Sequence, residues 1–172
     1  MINTRTVKIE TVFNYPNGYL GVDVDIFPID GTPSDEAEFK KWYDELMKNF
    51  KKLSIAGEKL RGSFKHRIKM LVLKAFTRST KHYLKKIDEL HSRYSYSDSE
   101  FVGSIACLYN SPKNRVPKSC FENTVDVEFE GIKFKAPAEY DYVLRSIYGD
   151  YMQLPPEEKR VTHHSNKMYW KE

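Results

Sequence analysis

Two aspartates, Asp23 and Asp25, stand two residues apart in the stretch Leu20-Gly-Val-Asp-Val-Asp-Ile-Phe-Pro-Ile-Asp-Gly31. Leu20, Val22, Val24 and Ile26 alternate with Gly21, Asp23, Asp25 and Phe27, which is the period-2 pattern of a strand with one buried face. On such a strand the two carboxylates share a face, roughly 7 Å apart. Hard divalent cations take oxygen ligands, so the pair could hold one; equally, it could be the polar side of a strand that meets solvent. Pro28 has no N–H to donate and should end the pairing, and Asp30-Gly31 supplies turn chemistry.

The elements that would carry this strand follow from the same pattern reading. Residues 4–12 alternate weakly, and Asn14-Tyr-Pro-Asn-Gly18 is a turn, so the chain is expected to open with a β-hairpin. Thr32 can cap a first helix, with Pro33 at its first position and Asp35 and Glu36 at its positive end. Phe39, Trp42, Tyr43, Leu46, Met47, Phe50 and Leu53 give that helix one broad apolar stripe for core packing. A second helix is predicted over residues 63–78 with Phe64, Ile68, Leu71, Val72, Ala75 and Phe76 inward. Ser79 and Thr80 offer a cap for a third, which carries Tyr83, Leu84, Ile87, Leu90 and Tyr94. Residues 101–109 suit a strand, and residues 125–134 suit a hairpin that turns at Glu130-Gly131. A short helix over residues 137–148 is capped by Gly149, and an irregular tail follows Leu154. The expected fold is α+β: a small mixed or antiparallel sheet with hairpins, packed against several helices.

Composition narrows the function classes. The 172 residues suit a single domain, with an ordinary 40% hydrophobic and 30% charged content. The net charge of +4 hides an asymmetry: residues 48–86 hold 13 Lys plus Arg against one acid, Glu58. That span carries +12 and the remainder −8, so a basic helical insert, about residues 33–97, points to a polyanionic partner or an anionic membrane surface. Cys107 and Cys120 form no C-x-x-C pair and read as buried reduced thiols, with a disulfide as the lesser alternative. No N-terminal segment looks like a signal peptide, and Met70-Leu-Val-Leu73 is too short to span a bilayer. The chain reads as cytoplasmic, with peripheral association at the inner face of the membrane a further expectation.

Val24-Asp-Ile-Phe-Pro-Ile-Asp-Gly31 resembles the "IDIFPLDG" motif of the LicD family, which includes phosphocholine transferases and is related to fukutin. Tyr148-Gly-Asp-Tyr-Met-Gln-Leu-Pro-Pro-Glu-Glu-Lys-Arg160, followed by His163 and His164, resembles that family's C-terminal "YGDYM…LPP…R…H" block. Phe129-Glu-Gly131, Phe134 and Pro137 resemble its "FEG…F…P" pattern. Nothing here resembles its upstream "GGTLLGAVRH…PWDDDIDI" motif. The resemblance therefore implies the C-terminal portion of an incomplete LicD-type domain, inactive as an isolated chain, with a separately encoded upstream segment as a candidate partner.

By that resemblance the fold is the C-terminal part of a nucleotidyltransferase fold, and the cofactor is a divalent cation, Mg2+ or Mn2+. Asp25 matches the motif's aspartate and is the expected third metal carboxylate. Asp23, where the family more often has an apolar or aromatic residue, and Asp30 are further metal candidates. His163 or His164 would act as general base on a sugar hydroxyl, and Arg160 would clamp a phosphate. Tyr148, Asp150 and Tyr151 would line a pocket for a quaternary ammonium, or else form the packed end of a helix. The implied activity moves phosphocholine, or a related phospho-substituent, from a CDP-choline-like nucleotide donor to a cell-surface glycan acceptor such as teichoic acid, lipopolysaccharide or capsule. The rival reading is a non-catalytic module whose basic helices bind an anionic surface or nucleic acid. Nucleic acid is disfavoured, because the aromatics of the helical region fall on apolar stripes and no recognised motif accompanies them.

Overall fold

The computed structural model describes residues 6–9, 19–20, 26–105, 111–160 and 168–170. Asp23, Asp25, Cys107, His163 and His164 lie outside these residues. In chain order the elements are β1 (Thr6–Ile9), β2 (Tyr19–Leu20), β3 (Asp30–Thr32), α1 (Glu36–Gly57), α2 (Phe64–Ala75) and α3 (Thr80–His91). They continue with β4 (Phe101–Gly103), β5 (Arg115–Pro117), β6 (Thr124–Phe129), β7 (Ile132–Pro137), α4 (Tyr140–Tyr148) and β8 (Met168–Trp170). The α+β class expected from the sequence holds. The described strands divide among three small antiparallel sheets, ordered β2-β1-β8, β3-β4-β5 and β6-β7.

The chain forms two compact units, one of Met1–Phe27, Lys48–Ile87 and Pro156–Glu172, the other of Pro28–Met47 and Asp88–Pro155. In the first, β1 pairs with β2 as the opening hairpin requires. Tyr83 and Ile87 of α3 are buried there, while Leu84 is 55% exposed. Ser63 caps α2 as its position suggests, its Oγ accepting from the His66 N–H at 3.3 Å. Ser79 does the same for His82 at the start of α3.

The direction of α2 overturns the expectation of an inward apolar face. Phe64, Ile68, Leu71, Val72 and Phe76 are all exposed, and Met70 is the buried residue of the helix. Two polar contacts lie on that same side. Lys74 Nζ donates to the Ala56 carbonyl at 2.9 Å, and the His66 ring meets Glu58 at 3.2 Å. Ala56 lies in the last turn of α1 and Glu58 just after it, and His66, Met70 and Lys74 share one side of α2, the side opposite the exposed stripe.

In the second unit the core is built from Phe39, Trp42 and Leu46 of α1, Leu90 of α3, Val102 of β4, Ile105, Val116 of β5 and Cys120. Two local readings around it are corrected. Asp30-Gly31 is not a turn but the start of β3, which pairs with β4 at Asp30↔Gly103, Gly31↔Val102 and Thr32↔Phe101. Thr32 is therefore a strand residue, its Oγ1 donating to the Phe101 carbonyl at 3.0 Å, and Asp35 caps α1 by accepting from the Glu38 N–H at 2.8 Å. Residues 26–29 carry no regular structure and Ile26 is 73% exposed, so the buried face expected of Ile26 is also absent. The β6–β7 hairpin forms in the expected register, and Glu130 (φ 50°) and Gly131 (φ 76°) both occupy the left-handed region that a two-residue hairpin turn demands. Gly149 (φ 73°) ends α4 and donates to the Arg145 carbonyl.

Candidate functional site

The described residues of the second unit bring one motif aspartate to a histidine that pattern reading passed over. Asp30 opens β3, and its Oδ2 lies 3.5 Å from Nδ1 of His91, the last residue of α3. Gly31 makes that approach possible. A Cβ on Gly31 would stand 2.4 Å from the Ser95 carbonyl oxygen, 2.6 Å from that of Tyr94 and 2.3 Å from Ser99 Oγ, so only glycine lets β3 lie against this turn. The turn is itself tied down. Ser95 Oγ accepts from the Asp98 N–H, and Ser99 Oγ donates to the Ser95 carbonyl.

The Trp42 ring forms one wall of His91. Trp42 meets it edge-on at 6.0 Å and meets Tyr94 edge-on at 6.2 Å. The Trp42 indole N–H donates to the Leu90 carbonyl at 3.0 Å, satisfying one of the carbonyls that the end of α3 leaves without a helical partner. Burial pushes the His91 pKa below its ordinary value, against the opposing pull of Asp30 and Asp88. At neutral pH the imidazole is thus uncharged, the form that can accept a proton. Burial pushes the Tyr94 hydroxyl the other way, up, and its hydrogen bond to Glu38 at 2.8 Å adds to that shift.

Arg115 locks the wall in place. It stands opposite Gly103, which in turn stands opposite Asp30, so the three share one row across the sheet. Its side chain is 7% exposed, with the guanidinium 4.0 Å over the Phe101 ring and 4.7 Å over that of Phe39. Nη1 donates to Glu36 at 2.6 Å, and Nη2 donates to the Pro33 and Ser34 carbonyls at 2.9 and 2.8 Å. One planar fork therefore joins β5, the β3–α1 connection and the first turn of α1. Neither Arg115 nor His91 carries a spacing signal. Each lies in a stretch read for its apolar partners, and only the folded register brings it to Asp30.

Tyr148 is 69% exposed at the end of α4. The Tyr151 hydroxyl donates to Asp141 at 2.8 Å, and its ring lies beneath Arg145 at 5.8 Å, so this ring already faces a cation of the chain's own. Asp150 is exposed beside it, and Arg160 is exposed in the other unit. Among the described residues no three His, Cys, Asp or Glu side chains gather closely enough to hold a metal ion. Asp30 faces His91, and Asp23 and Asp25, the other metal candidates, lie outside the described residues. Among the described residues no helix is long and apolar enough to cross a membrane.

No protein-family model and no solved structure matches the chain. Among curated proteins it is similar to the lipopolysaccharide cholinephosphotransferase LicD of Haemophilus influenzae, 28% identical over 152 residues. The alignment takes in 85% of this chain and 56% of that protein, so the chain spans a little over half the length of the curated relative. An aligned stretch of that extent necessarily runs through Asp30, Trp42, His91 and Arg115. The two motif blocks and this alignment agree: each likens the chain to LicD-type proteins.

Proposed function

We propose that this chain belongs to a transferase that moves phosphocholine, or a related phospho-substituent, from a nucleotide-activated donor to a cell-surface glycan precursor. The observation that carries the reading is the similarity to the lipopolysaccharide cholinephosphotransferase, across a stretch that holds the Asp30–His91 pair. Moving a phospho-substituent to a sugar hydroxyl is aided by a base that is unprotonated at neutral pH and held in orientation. His91 has both properties. Its imidazole is kept neutral by burial, and the Asp30 carboxylate beside Nδ1 steadies the imidazolium that forms. In the transfer step the acceptor hydroxyl gives its proton to His91 while its oxygen bonds to the phosphocholine phosphorus. The bond from that phosphorus to the leaving nucleotide then breaks. A divalent cation, Mg2+ or Mn2+, held by Asp25 with Asp23, would when bound supply neutralisation of the donor phosphates. Arg160, His163 and His164 belong to the same reading as residues that meet donor or acceptor.

The test is transfer of labelled phosphocholine from CDP-choline to lipopolysaccharide, teichoic acid and capsule acceptors by the full-length protein. We expect turnover on one of them, and His91→Gln to lower kcat by about 10²- to 10⁴-fold. No transfer to any of the three overturns the reading. Undiminished turnover in H91Q, with its melting temperature unchanged, overturns the role given to His91.

A further inference from the structure

The helix α2 wears its apolar side outward, and we propose that this side is a docking surface for an anionic bilayer. At 3.6 residues per turn, Phe64, Ile68, Leu71, Val72 and Ala75 fall on one stripe, continued by Phe76, and Met70 falls on the opposite side. The structure buries Met70 at 4% exposure and leaves Phe64 at 75%, Leu71 at 53%, Val72 at 52% and Phe76 at 86%. Solvent would ordinarily select the reverse rotation, because a contiguous apolar row in water marks a surface that something covers.

The flanks say what covers it. Lys65 and Lys69 border the stripe on one side and Arg67 on the other, all exposed. The helix contains no acid, and none occurs anywhere between Glu58 and Asp88. A row of apolar groups framed by cations is the arrangement of a helix lying in the plane of a membrane interface. Its apolar side chains enter the acyl boundary, and the long basic side chains reach back to anionic headgroups. A nucleic-acid surface would use the same cations, but the stripe between them is largely aliphatic and offers bases no hydrogen-bonding side chain. The surface is independent of the transfer chemistry proposed above, and its test does not use it.

The experiment is co-sedimentation of the full chain with vesicles of phosphatidylcholine alone and of phosphatidylcholine with phosphatidylglycerol, at low and high salt. We expect binding to the anionic vesicles at low salt, weakened by salt. Phe64→Ser with Leu71→Ser, and separately Lys65→Glu with Lys69→Glu, should each weaken binding by at least about tenfold. Because these side chains are exposed, both double variants should melt at or above the wild-type temperature. Equal binding to neutral vesicles, or anionic binding untouched by both double variants, overturns the proposal. So does a fall in melting temperature on F64S/L71S, which would mean that protein covers the stripe. Light scattering that shows a dimer split by F64S/L71S assigns the stripe to a second copy and overturns it too. Tighter binding to single-stranded RNA than to anionic vesicles assigns the surface to nucleic acid, with the same result.

Discussion

Replacing Gly31 by alanine adds a single methyl group at the point where β3 meets the turn after α3. Its Cβ would stand 2.4 and 2.6 Å from the Ser95 and Tyr94 carbonyl oxygens and 2.3 Å from Ser99 Oγ, where ordinary contact begins at 3.4 Å. The Ser99 hydroxyl can rotate away, at the loss of its 2.8 Å bond to the Ser95 carbonyl. The two carbonyl oxygens are backbone and cannot. Relief requires β3 and the turn to separate by about 1 Å, against a sheet pairing that holds Gly31 opposite the fully buried Val102. Overpacking of this kind together with one lost hydrogen bond costs about 3 kcal/mol. For a chain of this size that lowers Tm by about 6–12 °C. Gly57→Ala is the matched control. Its added Cβ meets nothing nearer than Thr80 Cγ2 at 3.9 Å, and as a helical residue it should gain about 0.5 kcal/mol from the smaller entropy of its unfolded chain. The assay is thermal unfolding followed by Trp42 fluorescence in a Trp170→Phe background, since Trp170 is 74% exposed and belongs to the other unit. A Gly31→Ala protein that melts within about 2 °C of its parent refutes the close approach on which the Asp30–His91 geometry rests.

Three further outcomes are expected. Arg115→Lys keeps the charge but loses the planar fork and the stacking on Phe101, and should cost about 2 kcal/mol in urea unfolding; a loss below about 0.5 would mean that the fork is dispensable. Hydrogen bonds from Arg145 and Tyr151 hold the Asp141 carboxyl below its ordinary 3.8. A depressed carboxylate pKa contributes stability that is present above the unfolded value and lost as pH falls through the folded one, so the end of α4 should loosen only below that ordinary value. A proton-NMR titration of Tyr151 should show this, and Arg145→Gln should move the midpoint up; an unmoved midpoint would refute the assignment. In the full-length protein, Asp25→Asn should weaken Mn2+ binding by calorimetry with little change in Tm, and Mn2+ bound equally well would remove Asp25 from the metal reading.

Sequence and structure agree where a short-range rule decides the outcome. The cap at Ser79, the Glu130-Gly131 hairpin and the Gly149 helix end each depend on a few adjacent residues, and each forms where those residues place it. The α1 stripe of Phe39, Trp42 and Leu46 is buried as its period requires. The site was less legible, for a physical reason. Asp30 was visible as a motif residue, but His91 and Arg115 reach its neighbourhood through pairings across 61 and 85 positions of chain, which no local pattern encodes. The same limit explains why Asp30-Gly31 looked like a turn. Its composition suits one, but the steric demand that makes position 31 glycine comes from carbonyls at Tyr94 and Ser95.

Helix α2 separates two questions that pattern reading joins. Periodicity locates an apolar stripe on a helix, and it did so correctly for Phe64, Ile68, Leu71, Val72 and Ala75. It does not say what the stripe faces. The opposite side carries groups of another character: Lys74 meets the Ala56 carbonyl and His66 meets Glu58 near the end of α1, with Met70 buried between them along the helix. A helix held by its polar side must present its apolar side outward, and in water that arrangement costs free energy until the stripe is covered. The cations that border the stripe make an anionic, partly apolar phase the covering that satisfies both parts of the surface at once.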